Sequence, residues 1–139
     1  MLKLIDYYSL ITPFATAFNV TLCFVFSCVS RYQLRLAHVD RHLDQVASTA
    51  HADTMSSHGD MYANRHSAAA AKVSAGICVE AVAKVCSGEV SNAVAVIRPP
   101  GHHAEPDGIM GFCMYNNVAV AAKVAQRDFG IGKVMIVDW

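Results

Sequence analysis

The chain has 139 residues, the length of one domain or of part of one, and 54% of them are hydrophobic. Eleven basic and eleven acidic residues give a formal net charge of zero, so charge alone predicts no binding to nucleic acid or to an anionic membrane. The cysteines form no C-x-x-C pair; they are Cys23, Cys28, Cys78, Cys86 and Cys113. Their scatter argues against a disulfide framework and against a structural zinc site, and it favours a reducing compartment.

The stretch from Tyr7 to Ser30 contains no charged residue and is long enough to cross a bilayer as a helix. Pro13, Asn19 and several threonine and serine residues interrupt it, and the residues before it lack the basic excess of a signal peptide. We therefore expect buried structure or a non-native N-terminus here rather than a membrane anchor.

Two amphipathic helices are predicted in the middle of the chain. The first covers residues 36–47, where apolar side chains recur at helical spacing between charged ones. The second covers residues 68–86, is capped by Ser67 and ends at the Ser-Gly pair that follows. Its core-facing stripe is predicted to consist of Val73, Ile77, Ala81 and Val85. Residues 48–65 have no sustained period and are predicted to form a loop of the length that usually carries a function.

A strand, a helix and a second strand are predicted to follow. Residues 93–97 and 133–137 are short apolar runs rich in β-branched side chains, and residues 117–127 between them have helical spacing. A right-handed β-α-β unit of this kind builds a parallel sheet and brings the exits of both strands to one edge. The predicted fold class is therefore α/β, and Asp138, after the second strand, is expected beside the residues that follow the first.

Two adjacent histidines, His102 and His103, occupy the Pro-Gly corner after the first predicted strand. Ionisable side chains at the exit of a strand are typical of functional sites in α/β proteins. Adjacent positions suit an acid and base pair better than two ligands of a structural metal, which usually lie about two to four residues apart. One imidazole could take a proton from an attacking water while the other donates to a leaving amine, with Asp138 fixing a tautomer.

The remaining polar candidates are predicted to be structural or solvated. Glu105 and Asp107 lie among proline and glycine residues, which favours a solvated loop. His38 and His42 have the spacing of a metal-binding pair on a helix, but no third ligand accompanies them, and a surface position is favoured. No ligand template fits the other histidines, which are His51, His58 and His66.

Two aromatic residues follow the tandem histidines. Phe112 and Tyr115 are predicted to be core aromatics rather than substrate contacts. Gly111 in front of Phe112 would let the backbone and the ring approach another group closely.

Residues 98–122 read RPPGHHAEPDGIMGFCMYNNVAVAA and resemble the zinc-dependent histone deacetylase family, with its class II branch the most similar. The similarity extends over about residues 36–139, because ordered pieces of that catalytic domain recur as HVDRHLDQVAST, DMYANRHS, AGICVEAV, SGEVSNAVAV and KVMIVDW. The resemblance implies an open parallel sheet with flanking helices, the arginase/deacetylase-like fold. It divides the chain into a hydrophobic segment of unclear origin, 1–33, and the N-terminal part of a catalytic domain, 34–139.

The resemblance also implies an activity, the metal-assisted hydrolysis of the acetyl-lysine amide. By the family pattern, His103 acts chiefly as general base and His102 as its electrostatic or acid partner. Asp138 supports His102 and helps to form a monovalent cation site, which would take K⁺. Further positions match the lining of the lysine tunnel and a contact with the substrate backbone: Gly111, Phe112 and Asp60.

One part of the family pattern is missing from the sequence. In the family, the strand ending in VDW continues at once into an Asp-x-His that supplies two zinc ligands, and a further ligand and an oxyanion-stabilising tyrosine come later. We therefore expect a truncated catalytic domain. No residue of this chain is assigned as a metal ligand, Zn²⁺ is expected only in the complete domain, and the truncated chain is expected to be inactive.

The partners implied are an acetylated histone or another acetyl-lysine protein and a corepressor complex. The resemblance places the protein itself in the nucleus, the cytoplasm or both, with a role in chromatin regulation and transcription repression. No direct contact with nucleic acid and no membrane partner is expected. Two alternatives stay open: a non-catalytic truncated form that acts only by binding partners, and an enzyme similar to the acetylpolyamine amidohydrolases.

Overall fold

The computed structural model describes residues 27–51, 56–58 and 61–139. Most of the uncharged stretch at 7–30, and Asp60, lie outside these residues. The described helices are α1 (Arg31–Leu34), α2 (Asp40–Ser48), α3 (Ser67–Cys86) and α4 (Asn117–Phe129), with a 3-10 turn at Thr49–His51. An antiparallel hairpin consists of β1 (Ser56–His58) and β2 (Met61–Ala63). The segment predicted as a loop therefore contains a turn of helix and a hairpin.

The first predicted helix begins later than expected, at Asp40. Ser30 starts the short α1 instead, because its hydroxyl accepts from the Gln33 N–H at 3.2 Å and its own N–H donates to the Gln33 side chain at 2.9 Å. Val39 then leaves the helical conformation, with φ −78° and ψ 153°, and its N–H donates to the Pro106 carbonyl at 3.0 Å. This break brings the start of α2 against the segment that follows the tandem histidines.

Helices α3 and α4 have bounds close to the predicted ones. Ser67 is the first residue of α3 rather than its cap, and its hydroxyl accepts from the Asn64 N–H at 3.0 Å. Gly88, just beyond α3, has a φ of 77°, and Gly130 at the end of α4 has a φ of 66°, a conformation that favours glycine and ends helices. Asn116 caps α4. None of the described helices is both long and apolar enough to cross a membrane.

The face that α3 buries differs from the predicted stripe. Helices α3 and α4 pack against each other and form the centre of the core, so α3 presents small side chains to its neighbour. Of the predicted stripe, Val85 is 38% exposed, and the other members are only partly buried. The residues that α3 buries are Ala68, Ala71, Ser74, Ala75, Gly76 and Val79.

Residues 93–97 and 133–137 do not form the predicted parallel strands in the part of the chain that the structure describes. Side chains alternate along the first run: Val94 and Val96 are 88% and 94% exposed, whereas Ala93 and Ala95 line a groove against α3 and α4. The second run lines the same groove, which has a volume of about 400 Å³. A ladder needs a hydrogen-bonded neighbour, and neither run has one among the described residues, so the open sheet is not confirmed.

Candidate active site

The tandem-histidine loop (residues 98–116) brings His102 to Asp138. The Nδ1–H of His102 donates to the Oδ2 atom of Asp138 at 2.8 Å, since a carboxylate can only accept. The expectation that Asp138 lies beside the histidines is therefore confirmed for His102. The two side chains are 41% and 62% exposed, so both are accessible from solvent.

The two imidazole rings of the loop lie side by side, with centroids 4.1 Å apart and an interplanar angle of 45°. His103 also lies against Gly111, whose φ is 53°. A Cβ atom at Gly111 would sit 2.5 Å from the Cδ2 atom of His103, so only glycine leaves room for the ring. The predicted close approach at Gly111 is confirmed, and the group that approaches is the His103 imidazole.

Phe112 is not the core aromatic that the sequence predicts. It is 55% exposed, and its φ of 62° falls in a region that residues other than glycine seldom adopt. Tyr115 does fit the prediction, because it is 1% exposed, and burial raises the pKa of its phenol to about 12. The Phe112 ring therefore lies at the surface, and the residue before it is Gly111, which contacts His103.

Buried polar contacts fix the start of the loop to α3 and α4. The Asn117 side-chain amide donates to the carbonyls of Pro99 and Pro100 at 2.9 and 3.0 Å. It also lies 3.0 Å from the Ser74 hydroxyl, which donates to the Pro99 carbonyl at 2.6 Å. Asn117 is 1% exposed, so this buried amide finds its hydrogen-bond partners in the backbone of the loop and in Ser74 rather than in bulk water.

We expect Asn117→Ala to destabilise the fold by about 2–4 kcal/mol, because it removes a fully buried amide together with its bonds to the Pro99 and Pro100 carbonyls. Ser74→Ala is the matched control: it removes one donor while Asn117 still serves the same carbonyl, and it should cost about 1 kcal/mol. Urea denaturation of both variants measures the two free energies of unfolding. Equal values would show that the amide does not hold the loop.

His38 and His42 are 4% and 0% exposed, so the predicted surface position is wrong. They continue a stripe that begins at Leu34 and ends at Val46, both of which are buried, and this spacing was the signal available in the sequence. Burial lowers the pKa of both imidazoles, and the neighbouring His42 lowers the pKa of His38 further. Burial therefore favours the neutral form of both imidazoles.

The acidic side chains of the loop are solvated, as predicted. Glu105 and Asp107 are exposed. Asp107 pairs with Arg41 at 3.2 Å, with side chains that are 58% and 78% exposed, and pairs this exposed contribute little stability. The residues that the structure brings together are thus His102, His103, Asp138 and Gly111, while Asp60 lies outside the described residues.

The donor set does not fit a zinc ion by itself. Across residues 27–51, 56–58 and 61–139, no group of three histidine, cysteine, aspartate or glutamate residues could hold a metal ion. A catalytic zinc site takes three protein ligands, so these would have to come from outside the described residues. The described cysteines are free; they are Cys28, Cys78, Cys86 and Cys113.

Comparisons with known proteins give consistent matches. A sequence model described as "Histone deacetylase domain" matches residues 7–139. Histone deacetylase 15 of Arabidopsis thaliana is 43% identical over 111 residues, which cover 80% of this chain and 20% of the relative. Histone deacetylase 9 of Homo sapiens is 49% identical over 73 residues, which cover 52% of this chain and 7% of the relative.

A solved structure, the HDA15 HD domain, matches with a TM-score of 0.78 at 35% identity, covering 86% of this chain and 34% of that one. The chain therefore spans about a third of the solved HDA15 HD domain chain. It spans about a fifth of the length of Histone deacetylase 15. The match is to a domain of the arginase/deacetylase fold, although the described residues of this chain do not form its open sheet.

Proposed function

The chain belongs to the histone deacetylase family, and we propose that it supplies the proton-transfer residues of a zinc-dependent lysine deacetylase. Family resemblance classes it with the amidohydrolases. The contact between His102 and Asp138 carries the proposal, because a carboxylate on Nδ1 orients the imidazole and leaves Nε2 available to a substrate. The adjacent His103 ring provides a second group within reach of the same reacting atoms.

Each residue of the site has a role in this proposal. His103 takes the proton from the attacking water as general base, and His102 stabilises the developing charge or donates to the leaving amine. Asp138 holds His102 in its tautomer and helps to bind K⁺. The residues proposed to contact the substrate are Gly111, Phe112 and Asp60.

The substrate class in this proposal is an acetylated histone or another acetyl-lysine protein, in line with the names of the relatives. The partial exposure of His102 and Asp138 supports it, because a long lysine side chain can approach them from solvent. The corresponding cellular role is transcription repression in the nucleus, or deacetylation in the cytoplasm, within a corepressor complex.

The isolated 139-residue chain is expected to retain no stoichiometric zinc after dialysis and to release no acetate from an acetyl-lysine peptide. The physical reason is the donor set, since the described residues offer no group of three ligands and a catalytic zinc needs three. Metal analysis and an acetate-release assay measure the two quantities. Zinc-dependent turnover that disappears in His103→Ala would show that this chain supplies the ligands itself.

A chimera tests the proposed function. Residues 27–139 replace the matching part of the HDA15 HD domain, on which the chain superposes with a TM-score of 0.78. Both proteins are assayed on an acetyl-lysine peptide and on an acetylated polyamine, with the parent domain as positive control. We predict that the chimera turns over the peptide within about tenfold of the parent. Preference for the polyamine would favour the amidohydrolase alternative, and a folded, zinc-loaded chimera inactive on both would contradict the proposal.

A further inference from the structure

We infer that a buried histidine pair, His38 and His42, positions the tandem-histidine loop through hydrogen bonds to its backbone. The inference rests on the proposed function, because the shape of the loop matters for chemistry only if His102 and His103 act on a substrate. The buried pair touches neither of them, so its members are positioning residues. Their contacts can be measured without any turnover.

His38 joins the two backbone segments of the loop that lie beyond the tandem histidines. Its Nδ1 atom lies 2.9 Å from the Glu105 carbonyl oxygen, and its Nε2 atom accepts from the Asn116 N–H at 2.9 Å. A carbonyl only accepts and a backbone N–H only donates, so the ring is neutral and carries its proton on Nδ1. Protonation of Nε2 would set two donors against each other and break the contact with Asn116.

His42 makes the neighbouring contact. Its Nε2–H donates to the Met114 carbonyl at 2.6 Å. Its Nδ1 atom is buried and has no hydrogen-bond partner among the described residues, a cost that an apolar core residue would not carry. The imidazole is therefore explained by the bond to Met114 rather than by packing alone. The two rings of the buried pair stack at 4.8 Å, so a charge on one opposes a charge on the other.

The backbone that the buried pair holds continues directly into the site. Glu105 lies two residues after His103, and Asn116 caps α4 by accepting from the Ala119 N–H at 3.0 Å. The Asn116 side-chain amide also donates to the Ala104 carbonyl at 3.2 Å, which joins the same two segments a second time. A displacement of Glu105 is therefore transmitted to His103 along two residues of backbone, and a displacement of Asn116 reaches the residue after His103 through the side-chain bond to Ala104.

The neutral state of the buried pair gives the loop a predictable pH response. Burial lowers the pKa of both imidazoles below the usual 6.5. The groups that face the pair are the Tyr115 ring and the exposed Glu105. Two charged groups also act on His42: Asp107 favours its protonation and Arg41 opposes it. Between the lowered pKa and pH 6.5 the unfolded chain binds more protons, so the stabilisation is complete above pH 6.5 and is lost as the pH falls below it.

His38→Leu in the 139-residue chain tests the inference, because it keeps an apolar side chain in the core and removes both bonds. We expect the Asn116 N–H to exchange with solvent at least about tenfold faster, while the amides of α3 keep their protection. The NMR signals of the His102 and His103 rings should shift. His38→Gln, which offers a donor and an acceptor, should restore most of the protection, and His51→Gln at an exposed position is the control. Unchanged exchange and unchanged ring signals in folded His38→Leu would overturn the inference.

The unmodified chain provides a second test that does not depend on a variant folding. Below pH 6.5, exchange of the Asn116 N–H, corrected for its intrinsic pH dependence, should accelerate by about tenfold. Protection of Asn116 that persists far below this pH would overturn the inference. If these tests fail while the chimera is active, the proposed function stands and the positioning role is wrong. If the chimera is inactive while the exchange data are as expected, the buried pair holds the loop and the proposed function is wrong.

Discussion

His103→Ala in the chimera is expected to lower kcat/KM for the acetyl-lysine peptide by about 10²- to 10⁴-fold. The imidazole is proposed to take the proton from the attacking water, and its neighbour His102 is already oriented by Asp138. Zinc content should stay at the level of the unmodified chimera, because His103 is not proposed as a ligand. Steady-state kinetics and metal analysis on the same preparation measure both quantities.

His51→Ala is the matched control for this loss. His51 is an exposed histidine in the 3-10 turn at Thr49–His51, so its removal should change kcat/KM by less than about twofold. A comparable loss in the control, or less than about a tenfold loss in His103→Ala, would remove the general base from this position.

Gly101→Ala is expected to destabilise the fold by about 3–5 kcal/mol, the largest stability effect we predict. The φ of Gly101 is 99°, where an L side chain is strained. A Cβ atom there would also lie 2.7 Å from both the Asn117 nitrogen and the Tyr115 carbonyl oxygen, and these backbone atoms cannot rotate away. Urea denaturation measures the change in the free energy of unfolding.

Gly132→Ala is the control for the effect of adding a methyl group. A Cβ atom at Gly132 would meet nothing within 4 Å, so this substitution should cost less than about 0.5 kcal/mol. A cost below about 1 kcal/mol for Gly101→Ala would show that the start of the loop can relax around the methyl group.

The two long helices could be predicted because their signals are local and agree with one another. Helical periodicity, Asn116 in front of α4 and Gly88 behind α3 all indicate the same bounds. The meeting of Asp138 with His102 could be predicted as well, because a helix between two apolar runs returns the chain to the same edge. That meeting occurs although no ladder joins the two runs among the described residues.

The buried histidine pair could not be placed with the same certainty, because its partners are distant in sequence. His38 and His42 contact carbonyls that lie 67 and 72 residues further along the chain. A hydropathy pattern counts an imidazole as a surface residue unless those partners are known. Leu34 and Val46 at matching spacing gave a local hint of burial, but no local feature identifies the carbonyls of Glu105 and Met114.

The buried face of α3 was predicted incorrectly and the predicted sheet is not confirmed, for related reasons. Periodicity weights large apolar side chains, so it selects Val73 and Ile77, whereas close packing against α4 favours alanines such as Ala71 and Ala75. Strand pairing is also non-local, since an apolar run becomes a strand only beside a hydrogen-bonded neighbour. Residues 93–97 have the side-chain alternation of a strand without that neighbour among the described residues.

The coupling between Asp138 and His102 measures the proposed proton-transfer unit most directly. We would compare kcat/KM of the chimera, of Asp138→Ala, of His102→Ala and of the double variant at fixed zinc and potassium concentrations. Because Asp138 bonds the Nδ1 atom of His102 at 2.8 Å, Asp138→Ala should cost at least about tenfold in the unmodified chimera and under about threefold once His102 is alanine. Equal losses in both backgrounds would contradict the proposal that the two residues act as one unit.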